Sequence, residues 1–222
     1  MTLDLLLAAL LGYFLGSVPS AYLMVRLKSR EDIRKTGSGN VGALNSYLVT
    51  RSHLIGIAVL CFDLLKGILA VVVAKLLFDS DFISGAISGT ASVIGHNFPV
   101  WLNFKGGRGL ATAAGAMLLL AWPAVPTWML LWGVGYILTR DVNVGNAMAT
   151  LLLIIAALAL PPSVIERVVP QAGATGDARL FMAMVFVFIL LKHIDPVREF
   201  VQYKRKMSTA GQAETSVEEK KP

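Results

Sequence analysis

The sequence predicts an all-α integral membrane protein, a compact bundle of about seven transmembrane helices. Of the 222 residues, 55% are hydrophobic and only 15% are charged, and the mean hydropathy is +0.67. A soluble domain carries about 25% charged residues. The apolar residues also cluster in long runs, as segments that cross a bilayer do. The composition therefore excludes an ordinary soluble domain.

The first apolar run, Leu3–Val25, predicts a transmembrane helix that stays attached to the chain. No Lys or Arg precedes Arg26, and the run is longer than the apolar region of a typical signal peptide. Asp4 stands where a signal peptide carries positive charge. We therefore do not expect a cleaved signal peptide.

Further apolar runs follow the first one. Several fall short of the roughly 20 residues that span a bilayer, so five and seven spans both fit the pattern, and we favour seven. Small residues four positions apart, Gly85 and Gly89, predict close helix packing in one of these runs. The runs are Leu54–Phe78, Phe82–Phe98, Leu110–Trp122, Pro126–Leu138, Asn146–Leu160 and Leu180–Leu191.

The placement of Lys and Arg predicts the orientation, because basic residues concentrate on cytoplasmic loops. The first polar loop, the later loops on the same face and the C-terminal segment are rich in Lys and Arg. We therefore expect the N-terminus outside, the C-terminus in the cytoplasm, and a single membrane domain over residues 1–207. Residues 208–222 are polar and are expected to be a disordered cytoplasmic tail. The opposite face is expected to carry Asp79, Asp81, Glu166, Arg167, Asp177 and Arg179.

The stretch "KTGSGNVGALN", residues 35–45, is rich in glycine and follows a basic run. Glycine-rich backbone can point several N–H groups at one anion. It can equally form a plain flexible turn. The stretch alone leaves a phosphate-binding loop and a linker both open.

A second glycine-rich stretch, "GHNFPVWLNFKGGRGLAT", spans residues 95–112. Lys105 and Arg108 flank flexible backbone just before the apolar run that starts at Leu110, where a helix N-terminus would favour an anion. The stretch does not match the nucleotide-binding P-loop pattern. His96 is either a hydrogen-bonded structural group or a general base beside this loop.

Asp63 and Lys66 lie three residues apart within an apolar run, so one helical face presents both side chains. Charged residues inside a span face the bundle interior or water. The pair is either a structural ion pair or a functional one, in which Lys66 faces an anionic substrate and Asp63 positions it. Together with the two basic loops it predicts a site for phosphorylated substrates at the inner membrane face.

Metal and cofactor chemistry is not expected. His53, His96 and His193 are widely spaced and carboxylates are sparse, so we predict no metal site. The single cysteine, Cys61, provides no disulfide framework. No cofactor and no nucleic-acid partner are expected.

Four strings resemble the bacterial acyl-phosphate-dependent glycerol-3-phosphate acyltransferase family, known as PlsY. They are "LGSVPSAYL" (15–23), "DIRKTGSGNVGALN" (32–45), "DLLKG" (63–67) and the second glycine-rich stretch. The resemblance implies a seven-helix inner-membrane enzyme without a cofactor. It also implies transfer of an acyl chain from acyl phosphate to the 1-position of glycerol 3-phosphate, which yields lysophosphatidic acid and phosphate in phospholipid biosynthesis.

The resemblance also implies a set of site residues. Those expected to act in catalysis are Ser38, Lys66, His96 and Lys105. Those expected to bind substrate are Ser17, Gly37, Ser38, Gly39, Asn40, Gly42, Asn45, Asp63, Lys66, Lys105, Gly106, Gly107, Arg108, Gly109, Asn143 (or Asn146) and His193. Membrane lipids and the enzyme that makes acyl phosphate are the further partners expected.

The sequence departs from the family pattern at several positions. Leu44 and Leu48 stand where the family has Thr and Arg, and Pro196 and Arg205 stand where its third motif has Asn and Glu. Two alternatives therefore accompany the acyltransferase hypothesis. One is a paralogue that binds lipid phosphates or acylates another phosphorylated acceptor. The other is a small transporter of anionic solutes.

Overall fold

The computed structural model describes residues 2–78 and 82–218. Every regular element in these ranges is helical, so the predicted all-α class is confirmed. A short 3-10 turn, Val100–Leu102, follows the fifth helix. The helices are α1 (Thr2–Ser17), α2 (Ser20–Ser29), α3 (Ala43–Thr50), α4 (His53–Leu77), α5 (Phe82–Asn97), α6 (Leu110–Leu120), α7 (Ala124–Thr139), α8 (Val142–Ala159), α9 (Pro162–Val168), α10 (Thr175–Leu191) and α11 (Ile194–Glu218).

The first predicted run is divided between α1 and α2 at Val18 and Pro19. Proline has no backbone N–H and its ring clashes with the preceding turn, so a helix breaks there. The Ser20 N–H bonds the Val18 carbonyl at 3.0 Å in a local turn. The N-terminal run therefore contains a break near its middle, which hydropathy alone does not show.

Glycines bring helix backbones into direct contact in the bundle. A Cβ atom built on Gly12 or Gly16 of α1 would lie 2.0 or 1.9 Å from a backbone oxygen of α5. The same holds between α4 and α6, where a Cβ on Gly67 would lie 2.0 Å from the Thr112 oxygen. Small residues permit this approach in membrane proteins. Gly89 also packs tightly, but against side chains of α4 and α6.

Two groups of buried apolar residues form the core. The larger joins α4, α5, α6, α8, α9 and α10, and the smaller joins α2, α4 and the segments between α2 and α6. Many Leu, Ile and Phe side chains on the outer faces are exposed, for example Leu54, Leu76 and Leu138. An apolar exterior is what a bilayer requires.

Length and composition identify three candidate spans among the described residues: Thr2–Ser29 across its break, α4 and α8. A fourth arises if α10 and α11 as far as Met207, which meet at 48°, count as one. α6 and α7 are apolar but shorter than about 20 residues. The span count of seven and the orientation of the termini stay predictions.

Other predicted segments differ from the structure in their bounds. The stretch 161–179, expected as a loop, contains α9 and the start of α10. Helix α11 continues to Glu218, where the sequence predicts a disordered tail from residue 208. Glu, Gln and Ala residues there have high helix propensities. Asp79, Asp81 and residues 219–222 lie outside the described residues.

Candidate active site

A cavity of about 420 Å³ opens between α4, α6, α7, α8 and α10. One group of lining residues is polar: Asn40, Asp63, His96, Arg108 and Asn146. The rest of the wall is mainly apolar and includes Leu60, Leu110, Ala113, Ala114, Met117, Val125, Trp128, Met129, Trp132 and Phe186. The cavity can therefore hold an apolar chain together with a polar head.

Asp63 is the centre of a buried polar cluster at this cavity. Its Oδ1 atom accepts a hydrogen bond from the Ser20 hydroxyl at 2.6 Å and lies 2.9 Å from Lys66 Nζ. Lys66 Nζ also donates to the Val18 carbonyl at 3.0 Å, at the break between α1 and α2. Both charged side chains are buried. The structure thus gives Lys66 two partners within the protein and places it outside the lining of the large cavity.

His96 connects this cluster to the second glycine-rich loop. Its Nδ1 atom lies 3.7 Å from Asp63 Oδ1. On the other side of the ring, a Cβ atom at Gly107 would come within 2.2 Å of His96 Nε2. The backbone N–H groups of Gly106 and Gly107 donate to the carbonyls of Asn97 and His96. These two amides hold the loop against α5, and substrate binding at Gly106 and Gly107 stays a prediction.

Arg108 is the cation that this loop brings to the cavity. Its guanidinium donates to the Asn143 side-chain oxygen on the first turn of α8. Asp141 caps that helix, and its Oδ1 atom accepts from the Asn143 N–H at 2.8 Å and the Val144 N–H at 3.0 Å. Burial lowers the pKa of the Arg108 guanidinium, while Asp141 opposes this shift. An arginine stays charged even so. Asn143 positions this cation and is not among the lining residues.

His193 lies behind the cavity wall and is fully buried. Its Nδ1 atom is 2.8 Å from the Ile189 carbonyl oxygen, and its Nε2 atom is 3.2 Å from Asn146 Nδ2. Both ring nitrogens are therefore engaged within the protein. His193 contacts Asn146, which lines the cavity, and its own contact with substrate stays a prediction.

The first glycine-rich loop is held together by Asn45. Its Oδ1 atom accepts from the Ser38 N–H at 2.9 Å, and its Nδ2 atom lies within 3.2 Å of the carbonyls of Ile33, Thr36 and Asn40. The side chain is buried and all of its polar capacity serves the loop. Asn45 thus shapes the loop, where the resemblance implied a substrate contact.

Several residues predicted for the site are not brought to the cavity. The Ser38 side chain is exposed, and the Gly39 N–H donates to the Thr36 carbonyl. The Ser17 hydroxyl is buried, donates to Phe14 and accepts from the Trp101 indole. Lys105 is exposed and does not line the cavity. The predicted residues that do line it are Asn40, Gly42, Asp63, His96, Arg108, Gly109 and, of the alternatives Asn143 and Asn146, Asn146.

The aromatic wall of the cavity was not predicted from the sequence. Trp128 and Trp132 stack along α7 with ring centroids 6.5 Å apart, and Trp128 donates to the Thr150 hydroxyl. Their spacing of four residues places both on one helical face, which was the available signal. Leu44, one of the departures from the family pattern, also lines the cavity.

Comparison with known proteins agrees with this architecture. The family model described as glycerol-3-phosphate acyltransferase matches residues 6–202. A glycerol-3-phosphate acyltransferase of Brucella anthropi is 39% identical over 193 residues, which cover 87% of this chain and 88% of its own length. Glycerol-3-phosphate acyltransferase 1 of Dehalococcoides mccartyi is 50% identical over 114 residues, 51% of this chain and 54% of its own.

Solved structures show the same likeness. The glycerol 3-phosphate form of PlsY, an integral membrane glycerol 3-phosphate acyltransferase, matches with a TM-score of 0.71 at 26% identity. It covers 89% of this chain and 92% of that chain. The family match ends at residue 202, within the stretch 192–205 that resembles the third motif. The chain therefore belongs to the glycerol-3-phosphate acyltransferase family and is an integral membrane protein.

Proposed function

We propose that the protein transfers an acyl chain from acyl phosphate to the 1-position of glycerol 3-phosphate. The products are lysophosphatidic acid and inorganic phosphate, as in phospholipid biosynthesis. The observation that carries the proposal is the cavity, whose polar residues adjoin a long apolar wall. An acyl phosphate is likewise divided into a polar phosphorylated head and a long apolar chain. Family membership supports glycerol 3-phosphate as the acceptor.

The reaction needs positioning more than a protein nucleophile, because acyl phosphate is already activated. The 1-hydroxyl oxygen attacks the acyl carbonyl carbon and forms the new ester bond. The bond between that carbon and the phosphate oxygen breaks, and the hydroxyl proton passes to the departing phosphate. Holding the two reactants in line supplies much of the rate enhancement in such a step.

Arg108 provides the charge that the two phosphates require. It reaches the cavity next to Gly109, which precedes the first turn of α6. The free N–H groups of a helix N-terminus and its dipole favour an anion at that place. The Asp63–Lys66 pair beneath is neutral overall, so it adds no net repulsion. Arg108, Gly109 and Asn40 are the proposed phosphate contacts, and His96 closes the polar end of the cavity.

The setting of the reaction follows from the charge pattern. We place the protein in the bacterial inner membrane with both glycine-rich loops on the cytoplasmic side, because Lys and Arg concentrate on their face. Lipids surround the apolar exterior. The enzyme that makes acyl phosphate is the proposed partner that supplies the donor, since this donor is itself amphipathic and membrane-bound.

Turnover by the purified protein tests the proposal. Palmitoyl phosphate and glycerol 3-phosphate are supplied in detergent, and lysophosphatidic acid and phosphate release are followed against an Arg108→Ala control. Equal amounts of both products, absent in the control, are expected. Product formed from acyl-coenzyme A but not from acyl phosphate would overturn the proposed donor.

Two further outcomes address the alternatives. Turnover with another phosphorylated acceptor, but none with glycerol 3-phosphate, would identify a paralogue with a changed acceptor. Anion uptake into liposomes without phosphate release would identify a transporter. A transporter would not account for the agreement of fold and family over most of the chain.

A further inference from the structure

The later part of helix α11 is a feature that the proposed function does not use. The helix runs from Ile194 to Glu218, and the family match ends within it, at residue 202. Every residue from Val201 to Met207 is exposed. This segment therefore lies largely beyond the matched region and turns most of its surface outward.

Three consecutive cations give the segment its charge. Lys204, Arg205 and Lys206 are exposed, and no ion pair to any of them is found within the residues that the structure describes. No Asp or Glu lies within four residues of them in the sequence. Arg198, earlier on the same helix, is already paired with Asp195 at 3.3 Å. The three later charges are therefore free to bind anions.

Apolar side chains lie beside these cations. Val201, Tyr203 and Met207 are exposed, and Lys204 Nζ lies 5.7 Å from the centre of the Phe200 ring. Helices that combine cations with exposed apolar and aromatic groups lie in membrane interfaces, where the apolar groups enter the acyl boundary and the cations reach the headgroups. An acidic protein in solution would satisfy the cations alone. The apolar groups therefore favour a lipid surface as the partner.

The start of α11 determines where this segment meets the bilayer. α10 ends at Leu191 after a run of apolar residues, and α11 begins at Ile194 with a bend of 48°. Six of the twelve residues from 195 to 206 are charged, so we assign this segment to the interface and not to a span. Lys206 lies about 18 Å along α11 from Ile194. Because the bend turns part of this length sideways, the cations stay near the headgroups of the leaflet where α10 ends.

We propose that Lys204, Arg205 and Lys206 bind the headgroup phosphates of anionic phospholipids and hold α11 on the membrane surface. One basic residue near an anionic surface favours the bound state by about fivefold, so three favour it by about 100-fold. The inference goes beyond the proposed function and does not depend on it, since none of the three residues lines the cavity.

A fluorescent label on α11 tests the docking. Met207→Cys in a Cys61→Ser background carries a polarity-sensitive dye at a single thiol, because Cys61 is the single native cysteine. The full chain is placed in nanodiscs of phosphatidylcholine or of an equal mixture with phosphatidylglycerol. The emission should shift to the blue in the anionic discs, because the label enters the interface. Salt at about 1 M should reverse the shift, since the Debye length falls to about 3 Å.

Two sets of substitutions separate local binding from an effect of net charge. Lys204→Gln, Arg205→Gln and Lys206→Gln together should lower the ratio of docked to free helix by about 100-fold and remove the shift. A matched control replaces three other exposed cations by Gln, at the end of α2: Arg26, Lys28 and Arg30. The control loses the same charge and should keep the shift.

Three results would overturn the inference. They are equal emission of the native protein in both kinds of disc, an equal loss of the shift in the two sets of variants, and a shift with polyglutamate but not with phosphatidylglycerol. The last result would identify an acidic protein segment as the partner. If the triple variant of α11 does not fold, salt decides alone, and a shift that persists at about 1 M salt contradicts the role of the cations.

Turnover in detergent separates this inference from the proposed function. The triple variant of α11 should release phosphate at the native rate, because its substitutions lie outside the cavity. A native protein that forms no lysophosphatidic acid refutes the proposed function, while the emission measurement still decides the docking of α11.

Discussion

The two glycine-rich loops look alike in sequence and differ in the structure. The first, residues 35–42, is closed on itself by Asn45, and only its end reaches the cavity. The second, residues 105–109, is fixed to the end of α5 by its amides and delivers Arg108 to the cavity. Glycine content and basic charge therefore do not identify a phosphate site. The hydrogen bonds that the backbone already makes decide which amides remain for a ligand.

The largest expected effect contrasts two cations of the second loop. Arg108→Ala should lower kcat/KM by about 100-fold or more, because a preorganised charge in the cavity is removed. Lys105→Ala should cost much less, because Lys105 is exposed and acts through solvent. Steady-state kinetics at low and high salt measure both. An equal loss of kcat/KM in the two variants would show that the buried and the exposed cation contribute equally.

The next contrast compares one glycine from each loop. A Cβ atom at Gly107 would meet His96 Nε2 at 2.2 Å and the Val41 oxygen at 2.4 Å, so Gly107→Ala must displace the loop and abolish most turnover. Gly39 has a φ of +70° but its nearest neighbour, the Arg34 oxygen, would lie 3.2 Å away. Gly39→Ala should cost only about 1 kcal/mol of stability, with turnover largely kept. Activity and thermal unfolding in detergent distinguish the two variants.

Loss of the Asn45 side chain tests how the first loop is held. Asn45→Ala leaves the Ser38 N–H and three carbonyls without their partner, and we expect a loss of about 2–4 kcal/mol in unfolding free energy. Asn45→Asp keeps an acceptor for the Ser38 N–H, but it sets a buried carboxylate oxygen against the three carbonyls and should lose at least as much stability. Unfolding midpoints of the two variants provide the measurement. An Asn45→Asp variant as stable as the native protein would show that the carbonyl contacts contribute nothing.

The smallest effect concerns the entrance to the first loop. Arg34 donates to Asp32 and lowers the pKa of that carboxyl from 3.8 to about 2. Because the folded pKa lies below the unfolded one, the stabilisation is present above about pH 4 and disappears as the pH falls towards 2. Asp32→Asn should flatten this part of the pH profile of the unfolding midpoint. An unchanged profile would show that the pair is dispensable.

Much of the fold was predictable because hydropathy reports directly on burial in a bilayer. The runs that became α4 and α6 were expected within a few residues. The break at Val18 and Pro19 was not expected. The Val18 carbonyl accepts a hydrogen bond from Lys66, a residue 48 positions away. Propensity describes neighbours along the chain and carries no information on such a contact.

The site was predictable only in part. Arg108 and Gly109 lie where a basic residue before a helix start is expected to lie. The glycine-rich backbone of residues 35–45 was one candidate for a phosphate-binding loop, but the Ser38 N–H already donates to Asn45. Asn146 contacts His193, 47 positions away along the chain, and no sequence pattern shows that contact.

The ion pair of α4 also bears on how the chain enters the membrane during synthesis. Asp63 and Lys66 are three residues apart on one helix, so they can pair before any other helix has packed. A segment that enters the bilayer already neutral avoids much of the cost of inserting two separate charges. The bond from Lys66 to Val18 can form only once α4 has packed against the break between α1 and α2. The same lysine thus serves insertion first and assembly afterwards.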